Sequence, residues 1–398
     1  YRSNYGAGLS FDWSSISYAE PVVNGLNIEG SSGLKESFDT AVDSNGHVHI
    51  VYLAYSNWDG IRYATNQSGS WQSFEIEQNV TGMSSIAVDS NDNVHIAYFS
   101  QRDSSGNAYA GGDYALKHAT NENGSWGISI LETGIDDADA RFQNYGKRPY
   151  NIIAIDSNDN VHIAFKDGGI KIANNTDGNW TVSSVNTTSD NIANQVILAI
   201  DSNDGLHLVW ETYAKTGGGH YGNYHIKVVH STNQSGTWSS SIIDEIDTGL
   251  TGNSYVANKI KHGSMVIDSN DNLHYFNYKG PVSNYAGHFR IKHYALENGS
   301  WTNSTLDNSF CSFSTTFNDD ICSLEAVIDS NDVIHITHEI GQDDVFGHNF
   351  LQYSNNANGY FGETVELEPA TRAAEMVVHP NGDVDFIYPQ KVQQTQSS

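Results

Sequence analysis

Seven times along the chain a short apolar strand runs into an Asp/Asn/Gly-rich turn and out again into a strand whose apolar and polar positions alternate. The phrase reads AVDSNGHVHIVY at 41–52, AVDSNDNVHIAY at 87–98, AIDSNDNVHIAF at 154–165 and AIDSNDGLHLVW at 199–210. It returns as VIDSNDNLHYFN at 266–277, VIDSNDVIHITH at 327–338 and VVHPNGDVDFIY at 377–388. Alternation next to a tight polar turn predicts a β-hairpin in each copy. A third strand follows the first six hairpins, as in GIRYAT (60–65), ALKHAT (115–120) and IKVVHS (226–231). A Gly-containing turn then ends in Trp71, Trp126, Trp180, Trp238, Trp301 or Phe361, and that aromatic opens a fourth, outer strand.

One such unit cannot bury both faces of its sheet, so repeated copies predict a radial array. The expectation is an all-β protein: a seven-bladed β-propeller with four antiparallel strands per blade, forming a single domain over residues 1–398. Only six outer-strand turns follow a hairpin, and the missing strand is sought at the opposite end of the chain, in FDWSSISYAE around Trp13. The last blade is therefore expected to take strands from both termini, which leaves no sheet edge exposed.

Charge narrows the partners. With 47 Asp+Glu against 19 Lys+Arg the formal net charge is −28. That argues against nucleic acid and suits a protein working in salty water, where self-repulsion is screened. No run approaches the 18 apolar residues of a membrane span, and no signal peptide is read at Tyr1, so the expectation is a mature secreted monomer without membrane contact.

The repeat is separated from the chemistry by asking which residues recur. His49, His95, His162, His207, His274 and His335 share one slot, filled by Asp385 in the seventh copy. A residue needed in every blade is structural, hydrogen-bonding a neighbouring turn or blade. The DSND turns resemble the start of a calcium loop but lack its later bidentate Glu, so they are read as Asx-type turn closures. Function is sought in what is not repeated.

If the first strand of each hairpin lines the channel, the DSND turns crowd one face and the insertions share the other. Those insertions, 99–114, 132–150, 211–225, 246–262, 278–290, 306–323 and 339–349, are read as loops. They carry Arg141, Lys147, Arg148, Lys215, Lys259, Tyr285 and His288, taken as substrate-binding residues. Residues 205–300 hold seven Lys/Arg and eight His in an otherwise acidic chain, which points to an anionic polysaccharide as partner.

Glycoside hydrolysis would use paired carboxylates, for which Asp113, Asp136, Asp137, Asp139, Glu211 and Glu339 are available. Elimination at a uronate needs other parts: a base for the C5 proton, donors that steady the carboxylate as it gains enolate character, and an acid for the departing C4 oxygen. Aligning third strands at their Ile-Lys pairs sets Asn223-Tyr224-His225 beside His288-Phe289-Arg290, with His225 and Arg290 facing one groove. His225 is then the base, Tyr224 or Tyr221 the acid, and Arg290 with His220 neutralises the carboxylate. A non-catalytic lectin is the competing class, but lectin sites recur blade by blade whereas these residues do not.

A propeller with a basic His/Tyr/Arg canyon and a nearby cysteine pair resembles the secreted ulvan lyases of marine bacteria. That resemblance implies β-elimination on a sulfated rhamnose–uronate polysaccharide and a structural zinc. Cys311 and Cys322 would form a disulfide by default in a secreted protein. With His262 and His338, for either of which His288 could substitute, they make the tetrahedral zinc alternative that the resemblance implies. No organic cofactor is expected.

Overall fold

The computed structural model describes residues 2–3, 38–54, 60–78, 80, 84–103, 107–109, 113–136, 152–186, 191–216, 223–247, 260–279, 288–312, 324–341, 349–361, 365–369 and 375–387. Within them the chain is all-β. Six antiparallel sheets of four consecutive strands span 38–77, 84–135, 153–186, 191–247, 260–312 and 324–369, and are numbered blades 1 to 6. Among the described residues the seventh repeat shows three strands. Its hairpin, Glu375–Val378 and Val384–Ile387, carries one further strand, Arg2–Ser3, with Arg2 opposite Asp385. The segment around Trp13, expected to supply the outer strand, lies outside the described residues.

The first strand of each sheet lies at one edge and touches the first strands on either side. These contacts run in a cycle from 38–42 through each blade to 324–328, then to 375–378 and back to 38–42. The propeller core therefore lies between blades. Ala97, Phe99 and Leu116 of blade 2 pack on Ile163 and Phe165 of blade 3, while Phe276, Tyr278 and Ile291 of blade 5 pack on Ala326 and Ile336 of blade 6.

Side chains at the turns explain why the phrase recurs. In blade 2, Asp89 Oδ1 accepts the N–H groups of Asn91 and Asn93, and its Oδ2 lies 3.3 Å from His95 Nε2. Burial alone would raise the Asp89 carboxyl, but these donors outweigh it and hold the pKa below the usual range. Blade 7 makes the same pair with its members exchanged: His379 stands at the Asp position and Asp385 at the His position, 3.1 Å apart.

The last turn residue ties blades together. Asp92, Asp159, Asp204, Asp271 and Asp332 all have φ of 61–63°, a conformation that costs a non-Gly residue energy. Each repays it by accepting from the Ser of the preceding blade's turn, as where Ser90 N–H and Oγ donate to Asp159 at 2.9 and 2.7 Å. Ser44, Ser157, Ser202 and Ser269 do the same to Asp92, Asp204, Asp271 and Asp332. Gly382 replaces the acceptor in blade 7, and Pro380 replaces the donor facing Gly46 of blade 1. Both junctions of the seventh blade therefore lack the tie.

The insertions differ from the loops expected. In blade 4 the second and third strands run through Leu206–Thr216 and Asn223–Thr232, and in blade 5 the fourth strand continues over Ser300–Ser312. Alternation persists through NYHIKVV, and the ladder continues with Glu211–Thr216 paired to Val228–Asn223.

Candidate functional site

Opposite the DSND turns, the ends of the second strands meet the starts of the third strands. Counting from the repeat histidine fixes equivalence between blades. Lys279, five residues after His274, pairs with Arg290, whereas Thr212, five residues after His207, pairs with Lys227. Arg290 is thus equivalent to Lys227, and His288 to His225. The alignment at Ile-Lys was two residues out, because Ile226-Lys227 and Ile291-Lys292 occupy different positions in their blades. The correct frame matches His225-Ile226-Lys227-Val228 with His288-Phe289-Arg290-Ile291. Val228 and Ile291 are both fully buried at this position, and the register to the outer strand shifts at the same place in both blades.

Arg290 is exposed. Beneath it, Lys279 is ion-paired to Asp244 of blade 4, whose Oδ2 also accepts the Tyr294 hydroxyl at 2.6 Å. Burial, followed by the hydrogen bond to Asp244 and the charges of Asp244 and Glu211, pushes the Tyr294 phenol well above its usual range, so it stays protonated. Sequence reasoning missed Tyr294 and Asp244. The signal was present: Asp244 lies six residues after Trp238, as Glu77 lies six after Trp71. Glu77 does the same work at the blade 1–2 junction, accepting Tyr98 Oη and Lys117 Nζ, each at 2.7 Å. Acids at this position are therefore ties between blades rather than reacting groups.

A second break in the repeat falls three residues after the repeat histidine. Blades 1 to 4 place Tyr52, Tyr98, Phe165 and Trp210 there, whereas blades 5 and 6 place Asn277 and His338. Both are buried; the Asn277 amide makes no hydrogen bond, and the His338 ring nitrogens make none of good geometry apart from a weaker contact with the Gln352 side chain. Burial lowers the His338 pKa to about 4, opposed by Gln352, its register partner, so the ring is neutral.

The remaining predicted residues divide by what is described. Tyr224, His225, Lys215, His262, His288 and Cys311 have their strand positions described but not their side chains. Lys215 pairs with Tyr224, Cys311 with Phe289, and the strand carrying Cys311 touches the strand carrying His338. His220, Tyr221, Arg141, Lys147, Arg148, Lys259, Tyr285 and Cys322 lie outside the described residues. Among the hydrolytic candidates, Glu211 sits buried inside a strand of blade 4 rather than in a loop. Among the described residues no cluster of three or more His, Cys, Asp or Glu side chains is arranged to hold a metal ion.

No protein-family model matches the sequence, and no curated protein matches it. Solved structures do match in fold. An ulvan lyase, a polysaccharide lyase solved bound to -[GlcA(1-4)Rha3S]-, superposes with a TM-score of 0.51 at 14% identity, covering 89% of this chain and 88% of that one. The same enzyme without that ligand gives 0.49 over 89% and 86%. An α-L-arabinofuranosidase from Fusarium graminearum gives 0.43 at 10% identity, covering 80% and 91%. At these identities the likeness shows the fold alone, an antiparallel β-propeller.

Proposed function

We propose that the protein is a polysaccharide lyase that cleaves an acidic, uronate-containing polymer of the ulvan type by β-elimination. The observation that carries this reading is the matched pair of triplets, His225-Ile226-Lys227 and His288-Phe289-Arg290, at equivalent register on the third strands of adjacent blades. A polymer lying across blades 4 and 5 meets a histidine and a cation from each.

His225 takes the C5 proton, and the C5–H electron pair becomes the C4–C5 double bond as the C4–O bond breaks. Tyr224 or Tyr221 gives a proton to the departing oxygen. Arg290, with His220 and His288, holds the carboxylate as it takes on enolate character. Arg141, Lys147, Arg148, Lys215, Lys259 and Tyr285 extend binding along the anionic chain. The scaffold that goes with this reading is a seven-bladed ring completed by the Trp13 segment, in a secreted monomer.

Cys311, Cys322, His262 and His338 would hold a structural zinc. His338 fits that role, because a buried neutral imidazole without a well-formed hydrogen bond is what a metal ligand offers before its metal arrives. Bound there, zinc would brace the extended strands of blades 5 and 6.

The test is ultraviolet absorbance of the protein mixed with ulvan and with other uronate polymers, since elimination creates a conjugated unsaturated uronate. The expected result is a rise with ulvan that His225→Ala abolishes. Binding without any rise, on every polymer, would overturn the lyase reading.

A further inference from the structure

On the turn face, the third strand of blades 1, 2, 4 and 5 supplies one ring with two tasks. It hydrogen-bonds Nδ1 of the repeat histidine, and it packs on the aromatic that opens the next blade's outer strand. Tyr63 bonds His49 and meets Trp126 at 5.1 Å between ring centres, and His118 bonds His95 and meets Trp180 at 4.9 Å. His230 bonds His207 and meets Trp301 at 5.4 Å, and His293 bonds His274 and meets Phe361 at 5.8 Å.

Blade 3 breaks the rule. His162 pairs with Asn174, so the equivalent position two residues earlier is Ile172, an aliphatic side chain that cannot hydrogen-bond His162 and offers Trp238 an apolar cluster instead of a ring. Two consequences are visible. His162 Nδ1 has no hydrogen-bond partner although the side chain is only 8% exposed. A cleft of about 450 Å³ opens between blades 3 and 4, lined by His162, Asn158, Asn174, Thr176, Asp204 and Trp238 among others. That volume falls in the range of small-ligand sites.

We propose that this cleft is a second, non-catalytic site that binds one neutral sugar residue. Its lining holds amides, hydroxyls and carboxylates with one indole and neither Lys nor Arg, so it offers nothing to an anion. Hydroxyl groups of a neutral pyranose satisfy amides and carboxylates alike, the indole covers an apolar sugar face, and the buried His162 nitrogen gains the partner that the other blades supply internally. The site lies on the turn face, away from the matched histidine triplets, and stands whether or not those triplets catalyse elimination.

The experiment is ligand-observed saturation-transfer NMR on the full chain. The probes are the methyl glycosides of rhamnose, xylose, glucose and galactose, with glucuronate as the anionic control, each at tens of millimolar. At least one neutral glycoside is expected to bind while glucuronate does not. Ile172→Tyr restores the ring found in the other blades; it is expected to weaken binding about tenfold or more while the thermal midpoint holds or rises. Arg290→Ala is expected to leave glycoside binding unchanged, and Ile172→Tyr to leave the absorbance rise on ulvan unchanged. The proposal is overturned if no neutral glycoside binds, if glucuronate binds as well as they do, or if binding survives Ile172→Tyr.

Discussion

Asp39 is fully buried on the first strand of blade 1, and burial followed by the neighbouring charge of Glu375 raises its pKa from 3.8 to about 7. Ser85 Oγ and the Ile86 and Thr40 N–H groups donate to it but do not restore the usual value. An acid whose folded pKa is raised binds a proton in the folded state between about pH 4 and 7 where the unfolded chain does not, so its contribution falls as pH rises through that window. The difference of about three pKa units, at 1.36 kcal/mol each, makes the penalty about 4 kcal/mol above pH 7. Total stability hides this, because burial lowers His118 and His230 to about 3 and His293 and His338 to about 4. Those bases resist charging on folding and make stability rise with pH over the same range. The clean quantity is therefore a difference. Urea unfolding of the wild type and of Asp39→Asn, followed by circular dichroism at several pH values from 4.5 to 8, is expected to show the variant gaining on the wild type by about 3 kcal/mol across the series. A difference that does not change with pH would refute the placement of an uncharged carboxyl at the blade 7–1–2 junction.

Three further outcomes follow from the ties between blades. Lys117 is 1% exposed and paired to Glu77, so Lys117→Met is expected to cost about 3–5 kcal/mol in urea unfolding by stranding that carboxylate, and Glu77→Gln in the same chain to recover part of it. Asp159→Ala should cost about 1–2 kcal/mol by deleting the tie to Ser90, and Asp159→Gly less than Ala because glycine accepts the positive φ, both read from thermal midpoints. Hydrogen exchange should open 375–378 and 384–387 before any other hairpin, since both junctions of the seventh blade lack the Ser–Asp tie; protection equal to that of blade 3 would contradict this.

Much of the fold was legible because hairpins are local. Each DSND phrase contains its turn, its register and the carboxylate that closes it, so blade boundaries could be read from the chain alone. The third strands were harder, since a strand that pairs at a distance can slide by two residues without turning a side chain to the other face. That ambiguity set His225 against Arg290, when the pattern His-x-Lys/Arg-Val/Ile-x-His, present in both 225–230 and 288–293, sets it against His288. In the seventh sheet the hairpin was legible, whereas the strand Arg2–Ser3 was not, because two residues carry no alternation to read and they lie far in sequence from their partner at Val384–Asp385.

Repetition sets the standard by which function is read. Where every blade keeps a residue, a single physical task explains it: Asp89 closes its turn and holds His95, and Asp159 ties blade 3 to blade 2. Where one blade abandons the residue, the task is left undone and the cost stays in the fold unless something else takes it up. Ile172 leaves a nitrogen of His162 without a partner and the Trp238 side without its ring, while Asn277 and His338 leave buried polar atoms where other blades place aromatic rings. A buried polar group without a partner costs about 1–3 kcal/mol, a cost that the repeated residue avoids in the other blades. These departures from the repeat fall on two different faces of the ring. On the proposed reading, one face carries a polymer track across blades 4 and 5, with its bracing at blades 5 and 6, and the opposite face carries the proposed sugar cleft between blades 3 and 4.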